Sequence, residues 1–235
     1  MKVYDAASIR NVALVGHTGS GKTQLASAIL SDAGMVNRFG KVDEGTTVTD
    51  FDDEEIARKH TLSASLAYAE WNKQKINLID TPGMGNFLSD ARAALLVADA
   101  ALVVVDAVGG VMVQTEKVWA AAEETNLPRL VVVNRLDRER ASLERTLASL
   151  RESCSRPVVP IQMPIGQEIY IALTYDPFGT SKTALKASWS RFATNPANRS
   201  RWRAHSSASA SFAAHAISGV SEGDPNASIG GLASD

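Results

Sequence analysis

Eight residues near the start of the chain constrain the fold more than any other segment. They are Gly16-His17-Thr18-Gly19-Ser20-Gly21-Lys22-Thr23. They fit the pattern G-x-x-x-x-G-K-[ST], follow an apolar run at residues 11–16 and open a helical pattern at 22–30. Such glycines let backbone N–H groups point at phosphate oxygens, and the helix N-terminus adds positive charge. The segment therefore predicts a P-loop, with Lys22 reaching the β- and γ-phosphates and the Thr23 hydroxyl binding Mg²⁺.

The rest of the first 168 residues alternates between predicted strands and predicted helices. Strands are predicted at 62–68, 76–80, 101–105 and 129–134, an extended segment at 157–163, and helices at 89–98, 115–125 and 139–153. This alternation predicts an α/β P-loop NTPase fold, a mostly parallel sheet with helices on both faces, over residues 1–168. Ligands of such sheets bind where the strands end, which directs attention to Gly16, Asp80, Asp106 and Asn134.

A second motif, Asp80-Thr81-Pro82-Gly83, follows the predicted strand at 76–80. We expect Asp80 to hold Mg²⁺ through a bound water and the Gly83 N–H to meet the γ-phosphate. Taken alone, the same four residues also suit a β-turn.

The long polar segment at 31–60 is expected to be an irregular switch loop. It leads to Thr61, the candidate for a second hydroxyl on the metal. The metal ligands predicted from the sequence are thus Thr23, Thr61 and Asp80, and the predicted catalytic residues are Lys22, Thr61 and Gly83. The acidic run at 52–55 is interpreted as a solvated face.

A base-reading motif, Asn134-Arg135-Leu136-Asp137, follows the predicted strand at 129–134. An ionised Asp137 accepts two hydrogen bonds, which matches the N1–H and exocyclic amine of guanine and mismatches adenine. Asn134 can tie neighbouring loops together, and the aliphatic stem of Arg135 can cover the ring. The alternative is an ordinary helix N-terminus in which Asp137 is the cap.

The ordered set of motifs between about Ser8 and Glu168 resembles the G domain of bacterial elongation factor G or of an elongation-factor-G-like paralogue. The similarity includes residues 9–12, 58–62, 106–111, 114–116, 134–138 and 160–166. The resemblance implies a GTPase that uses Mg²⁺, takes GTP to GDP and works with the ribosome in the cytoplasm. It implies contact with RNA only through the ribosome, and neither DNA nor membrane as a partner.

One departure from that family concerns catalysis. Relatives usually have histidine directly after Asp-Thr-Pro-Gly, where it positions or activates the attacking water. Here Met84 follows Gly83, and a thioether is neither an acid nor a base. Met84 is kept with the residues expected to line the nucleotide, and impaired hydrolysis is expected. A guanine-nucleotide-binding module with little or no hydrolysis is the alternative.

Composition limits what the remainder can be. The formal net charge is −2, there is a single cysteine, and no run approaches the length of a membrane span. Residues 169–235 are rich in Ser and Ala and show no sustained helical or strand period. We expect an irregular tail there, either disordered or out of frame, and the chain then corresponds to a fragment of the larger factor.

Overall fold

A computed structural model describes residues 2–154, 158–160, 163–165 and 173–175. Its strands are β1 (Ile9–Val15), β2 (Ser65–Trp71), β3 (Gln74–Asp80), β4 (Ala100–Asp106), β5 (Arg129–Asn134), β6 (Met163–Ile165) and β7 (Leu173–Tyr175). Its α-helices are α1 (Lys22–Asp32), α2 (Asp53–Arg58), α3 (Leu88–Val97), α4 (Val113–Glu124) and α5 (Leu143–Ser153).

Five strands form the main sheet in the order β2-β3-β1-β4-β5. Strands β3, β1, β4 and β5 run parallel, and β2 pairs antiparallel with β3 as a hairpin. The register places Leu14 of β1 opposite Asp80 and places Asp106 opposite Asn134. The residues that follow the parallel strands therefore converge on one edge of the sheet, as the sequence pattern predicts.

Helices cover both faces of this sheet, which confirms the predicted fold class. Because side chains alternate along a strand, Val12 and Leu14 face α1, whereas Ala13 and Val15 face the opposite side. Helix α1 packs with its Leu25 and Ile29 on the first face. The opposite cluster receives apolar side chains from the other long helices, namely α3, α4 and α5. With two covered faces, the last four residues of β1 and the middle five of β4 are buried, which explains the apolar runs at those positions.

Three expectations about the elements need correction. Strand β5, predicted to be buried, is only half-buried because it ends the strand order of the main sheet. Helix α5 begins at Leu143 rather than at 139, because the Ser142 side chain accepts a hydrogen bond from the Arg145 amide and caps it there.

The third correction concerns the polar segment at 31–60, which is not irregular throughout. It contains a 3₁₀ turn at Val42–Glu44 and the short helix α2. Asp52 caps α2 by accepting a hydrogen bond from the Glu54 amide at 2.8 Å. The acidic run therefore starts a helix instead of lining a loop, and one of its members, Glu55, is buried. For that residue, the interpretation as a solvated face is wrong.

Beyond α5 the description is partial. Strands β6 and β7 pair antiparallel, with Pro164 opposite Thr174. Strand β7 falls inside the segment predicted from sequence as an irregular tail, while residues 169–172 and 176–235 lie outside the described residues. The predicted boundary after residue 168 accordingly stays a prediction.

Candidate nucleotide-binding site

The P-loop lies between the end of β1 and the start of α1, as predicted. Gly21 has a φ of 95°, and a Cβ there would lie 2.4 Å from Nδ2 of Asn134, so glycine is required on both counts. Within the loop, the Ser20 amide donates to the His17 carbonyl at 3.3 Å. The Ser20 side chain is buried. The loop is therefore a compact turn packed against the end of β5.

Lys22 is buried at the centre of this turn. Its Nζ donates to the carbonyl oxygens of Gly16 at 3.1 Å and His17 at 3.0 Å. Burial lowers the pKa of Lys22 to about 8, and Asp80 and Asp50 oppose that shift. An ammonium group so weakly solvated gains strongly from an incoming anion, which is the requirement for binding phosphate.

Asp80 ends β3 and has no exposed surface. Burial raises the pKa of its carboxyl to about 6, against the opposing effects of Lys22 and of hydroxyl donors. One of its oxygens, Oδ2, accepts a hydrogen bond from the Thr49 hydroxyl at 2.9 Å. The other oxygen, Oδ1, is buried with no hydrogen-bond partner among the described residues. A buried carboxylate oxygen without a hydrogen-bond donor is suited to accept a cation.

The hydroxyls of Thr23 and Thr61 meet beside Asp80. Their Oγ1 atoms are 2.9 Å apart, and the Thr61 hydroxyl also donates to Oδ1 of Asp50 at 2.9 Å. Since Thr61 has one proton and gives it to Asp50, Thr23 is the donor in the hydroxyl pair.

The spacing of these hydroxyls suits magnesium. Neighbouring ligands of an octahedral Mg²⁺ with bonds near 2.0–2.1 Å lie about 3 Å apart. The 2.9 Å between Thr23 and Thr61 and the spare oxygen of Asp80 fit that requirement. In the described part of the chain, no three His, Cys, Asp or Glu residues form a metal cluster. A metal here would therefore rely on these oxygens together with phosphate and water, as Mg²⁺ commonly does.

The segment after β3 packs directly on the P-loop. The Gly83 carbonyl accepts a hydrogen bond from the Thr18 amide at 3.0 Å, and a Cβ on Gly83 would lie 2.5 Å from Nζ of Lys22. The same Cβ would lie 2.5 Å from the backbone nitrogen of Thr18, so only glycine fits against the P-loop here. The Thr81 hydroxyl instead donates to the Leu14 carbonyl at 2.7 Å, so this side chain holds β3 to β1. Pro82 is buried between these two residues.

Met84 is half-buried and precedes the 3₁₀ turn Gly85–Phe87. Its carbonyl accepts a hydrogen bond from the Phe87 amide at 3.1 Å. The residue therefore stands one position after the glycine that contacts the P-loop, and its thioether brings no proton-transferring group to that position.

The base-reading motif begins where β5 meets the P-loop. Asn134 donates from Nδ2 to the Ser20 carbonyl at 2.9 Å, which ties the two loops together as expected. Arg135 has a φ of 62°, and its Nη1 donates to Oδ2 of Asp106 at 3.1 Å. Its guanidinium also lies against Gly19 and Gly21. Arg135 thus bridges the end of β4 and the P-loop.

The last two residues of that motif are more accessible. Leu136 is half-buried and Asp137 is exposed. The alternative that Asp137 caps the next helix is wrong, since Ser142 is the N-cap of α5. Within the described part of the chain, no hydrogen bond occupies either carboxylate oxygen of Asp137, so this side chain is accessible to a ligand at this end of the site.

Sequence reasoning missed several residues that shape the site. Asp50 and Thr49, from the segment before α2, hold Thr61 and Asp80 respectively. No helical or strand periodicity in the sequence points to these two residues, because only the folding of the long loop brings them to their partners. The sequence did point to Asp106 as a residue at the end of a parallel strand, but it assigned no function to this residue.

Comparisons with known proteins agree with this geometry. Residues 7–220 match the family model described as the elongation factor Tu GTP binding domain, so the match extends beyond residue 168. Elongation factor G 2 of Streptomyces coelicolor is 39% identical over 168 residues, which are 72% of this chain and 24% of that protein. An elongation factor G-like protein of Thermotoga maritima is 40% identical over 159 residues, 68% of this chain and 22% of that protein.

A solved crystal structure of a protein from Thermus thermophilus also matches, at a TM-score of 0.68 and 42% identity. The alignment covers 73% of this chain and 26% of that one. The chain therefore spans about a quarter of the length of the relatives that it matches. Among the described residues, no helix is long and apolar enough to cross a membrane. On these matches, the chain belongs to the family of the elongation factor Tu GTP binding domain, and it is similar to elongation factor G and elongation factor G-like proteins.

Proposed function

We propose that this chain binds GTP together with Mg²⁺ and hydrolyses it as the G domain of an elongation factor of the G type. One observation carries the proposal. The hydroxyls of Thr23 and Thr61 lie 2.9 Å apart, and both Thr23 and the buried Lys22 act on Asp80, whose Oδ1 has no hydrogen-bond partner among the described residues. A phosphate-binding ammonium group and a set of oxygen ligands for Mg²⁺ thus meet at the mouth of the P-loop.

Hydrolysis in this site would depend on positioning and charge. Lys22 exchanges its two carbonyl acceptors for phosphate oxygens, and the P-loop amides that follow Gly16 donate to the same group. Thr23, Thr61 and Asp80 would hold Mg²⁺, which when bound neutralises charge on the β- and γ-phosphate oxygens. The Gly83 amide would donate to the γ-phosphate, and the hydrogen bond from the Thr18 amide to the Gly83 carbonyl supports this role because it holds Gly83 against the P-loop.

Selection of guanine is assigned to the far end of the site. The exposed carboxylate of Asp137 accepts from the two donors on the guanine edge, while adenine offers no matching pair. Asn134 fixes the motif to the P-loop through Ser20, and Arg135 is held by Asp106 so that its stem borders the ring site. The chain therefore binds guanine nucleotides in preference to adenine nucleotides.

We also propose a partner and a cellular location for the full-length factor. The ribosome is the expected partner of the full-length factor and the cytoplasm its location, with RNA contacted only through the ribosome and with no role for DNA or membrane. Because the chain spans about a quarter of its relatives' length, translocation is assigned to the whole factor and not to this chain.

Equilibrium binding of fluorescent GTP and ATP in the presence of Mg²⁺ tests the proposed function. We expect GTP to bind at least about a hundredfold more tightly than ATP, because a site built to hydrogen-bond one base penalises a base that leaves its polar groups unmatched. Omission of Mg²⁺ should weaken GTP binding. Equal affinity for the two nucleotides, or no binding by a folded chain, would refute the proposal.

A second candidate is a binding module without significant turnover, and Met84 favours it. The residue after Gly83 cannot activate or orient water through a proton-transferring group. Release of phosphate from GTP, measured with and without ribosomes, separates the two candidates. Release stimulated by ribosomes supports the enzyme, whereas tight binding without release supports the module.

A further inference from the structure

Glu55 is unlike the other members of the acidic run at 52–55. Its side chain is 1% exposed, whereas its neighbours Asp53 and Glu54 are exposed. Oε1 of Glu55 accepts hydrogen bonds from the backbone amides of Leu62 at 2.8 Å and Ser63 at 3.1 Å. A buried carboxylate that captures two consecutive amides fixes the path of the chain at that point.

These bonds act across a tight reversal of the chain. Helix α2 ends at Arg58, Lys59 adopts a φ of 56°, and the His60 amide donates to the Glu55 carbonyl at 3.2 Å. Glu55 therefore stabilises this reversal at two points. Its backbone carbonyl accepts from His60, just before Thr61, and its side chain accepts from Leu62 and Ser63, just after Thr61. Thr61 is the residue enclosed between those two anchor points.

The side chain of Thr61 points from this reversal into the site. It is buried, 2.9 Å from the Thr23 hydroxyl and 2.9 Å from Asp50. Among the described residues, Glu55 forms no hydrogen bond with either of these groups, and its hydrogen bonds reach the site through the backbone at Leu62 and Ser63. Its charge also helps to raise the pKa of Asp50, so the Glu55→Gln variant, which keeps an acceptor and removes the charge, separates the two effects. Glu55 thus acts on the Thr61 hydroxyl indirectly, which makes it a positioning residue.

We propose that Glu55 is the positioning residue that holds the Thr61 hydroxyl where Mg²⁺ and the γ-phosphate are bound, and that it thereby sets the preference for triphosphate over diphosphate. This inference rests on the proposed function. Thr23 binds the metal with either nucleotide, since it belongs to the P-loop. Thr61 belongs to the segment before β2 and gains its metal contact when the γ-phosphate is present. Loss of its anchor should therefore penalise the triphosphate selectively.

The experiment compares three variants by the affinities of GDP and of a non-hydrolysable GTP analogue in saturating Mg²⁺. Glu55→Met keeps the length of the side chain and removes both acceptors. Glu55→Gln keeps one acceptor for the two amides and places its nitrogen where Oε2, which has no partner among the described residues, now lies. Glu54→Gln changes an exposed neighbour and is the matched control. We expect Glu55→Met to weaken binding of the GTP analogue about tenfold or more with GDP binding unchanged, as for other residues that orient metal ligands.

The other two variants and the GDP measurement show whether the loss is specific. Glu55→Gln should retain most of the triphosphate preference, and Glu54→Gln should retain all of it. Equal losses for GDP and the GTP analogue in Glu55→Met, or no loss for either, would overturn the inference. If Glu55→Met does not fold, Glu55→Asp replaces it, because the shorter side chain keeps the charge but loses reach to both amides. Failure of the unaltered chain to bind either guanine nucleotide would instead refute the proposed function.

Discussion

Thr23 and Thr61 are 38 positions apart in the chain, yet their hydroxyl oxygens lie 2.9 Å from each other. The contact joins the start of α1 to the segment that precedes β2. It is stabilised from both sides, because Thr61 also donates to Asp50 while Lys22, next to Thr23, is fixed on the P-loop carbonyls. The pair of hydroxyls proposed to bind Mg²⁺ is therefore assembled from two different elements of the chain, which is the arrangement expected of a switch.

Replacement of Thr61 by alanine tests that pair. We expect Thr61→Ala to weaken the binding of a GTP analogue in Mg²⁺ by about tenfold and to leave GDP binding nearly unchanged, since only the triphosphate state uses the second hydroxyl. The measurement is a pair of fluorescence titrations. Thr125→Ala, which removes a hydroxyl bonded only within the end of α4, is the control. A matching loss of GDP affinity would show that Thr61 serves the fold and not the metal.

Replacement of Asp80 by asparagine should separate stability from function. The pKa of this buried carboxyl is raised from 3.8 to about 6, so the folded chain holds a proton between about pH 4 and 6 that the unfolded chain has lost. The carboxyl therefore favours the folded state below pH 4, and that contribution is lost as the pH rises through 6. At pH 7 the nucleotide-free Asp80→Asn chain should be roughly 1–3 kcal/mol more stable.

Two measurements check the Asp80 prediction. Urea unfolding at pH 4 and pH 7 should show the gain at pH 7 and little gain at pH 4. Titration with GTP should show that Asp80→Asn has lost its dependence on Mg²⁺, since an amide oxygen is a poor replacement for a carboxylate near Mg²⁺. A variant less stable than the parent at pH 7 would mean that the electrostatic attraction between Asp80 and Lys22 outweighs the cost of burial.

Replacement of Asp137 by asparagine tests base selection. An amide in place of the carboxylate accepts one hydrogen bond and donates another, which suits xanthine better than guanine. Asp137→Asn should therefore lose at least about tenfold in GTP affinity and gain affinity for xanthosine triphosphate, with a change of roughly 1–3 kcal/mol in each direction. Competition binding with the two nucleotides measures the change. Glu139→Gln, a nearby exposed substitution, should leave both affinities as they are.

Replacement of Met84 by histidine tests the departure from the elongation factor G pattern. The imidazole adds a hydrogen-bonding group beside Gly83 that the thioether lacks. We expect Met84→His to increase phosphate release in the presence of ribosomes by at least about tenfold, within the range of a single positioned acid–base group, with GTP affinity unchanged. Single-turnover phosphate release checks this. An unchanged rate would indicate that the limiting factor lies elsewhere in the chain.

Several parts of the site could be predicted from the sequence because they depend on local geometry. The glycines, lysine and threonine of residues 16–23 form a turn between a strand and a helix, and Asp80 and Asn134 end strands whose apolar runs identify them. Helix ends were less accurate. The start of α5 was placed four residues early, because the sequence alone did not reveal that the Ser142 side chain satisfies the first free amides.

The sequence by itself determined the strand–helix alternation, the P-loop and the residues that we propose bind the metal and the base, because each is encoded by neighbouring residues. Only the tertiary structure decided what surrounds them. Asp50 and Glu55 lie in a polar stretch without periodicity, and they find their partners, Thr61 and the Leu62 amide, only when that stretch folds back on itself. The shifted pKa values of Lys22 and Asp80 likewise arise from desolvation by several elements at once, which no local pattern records.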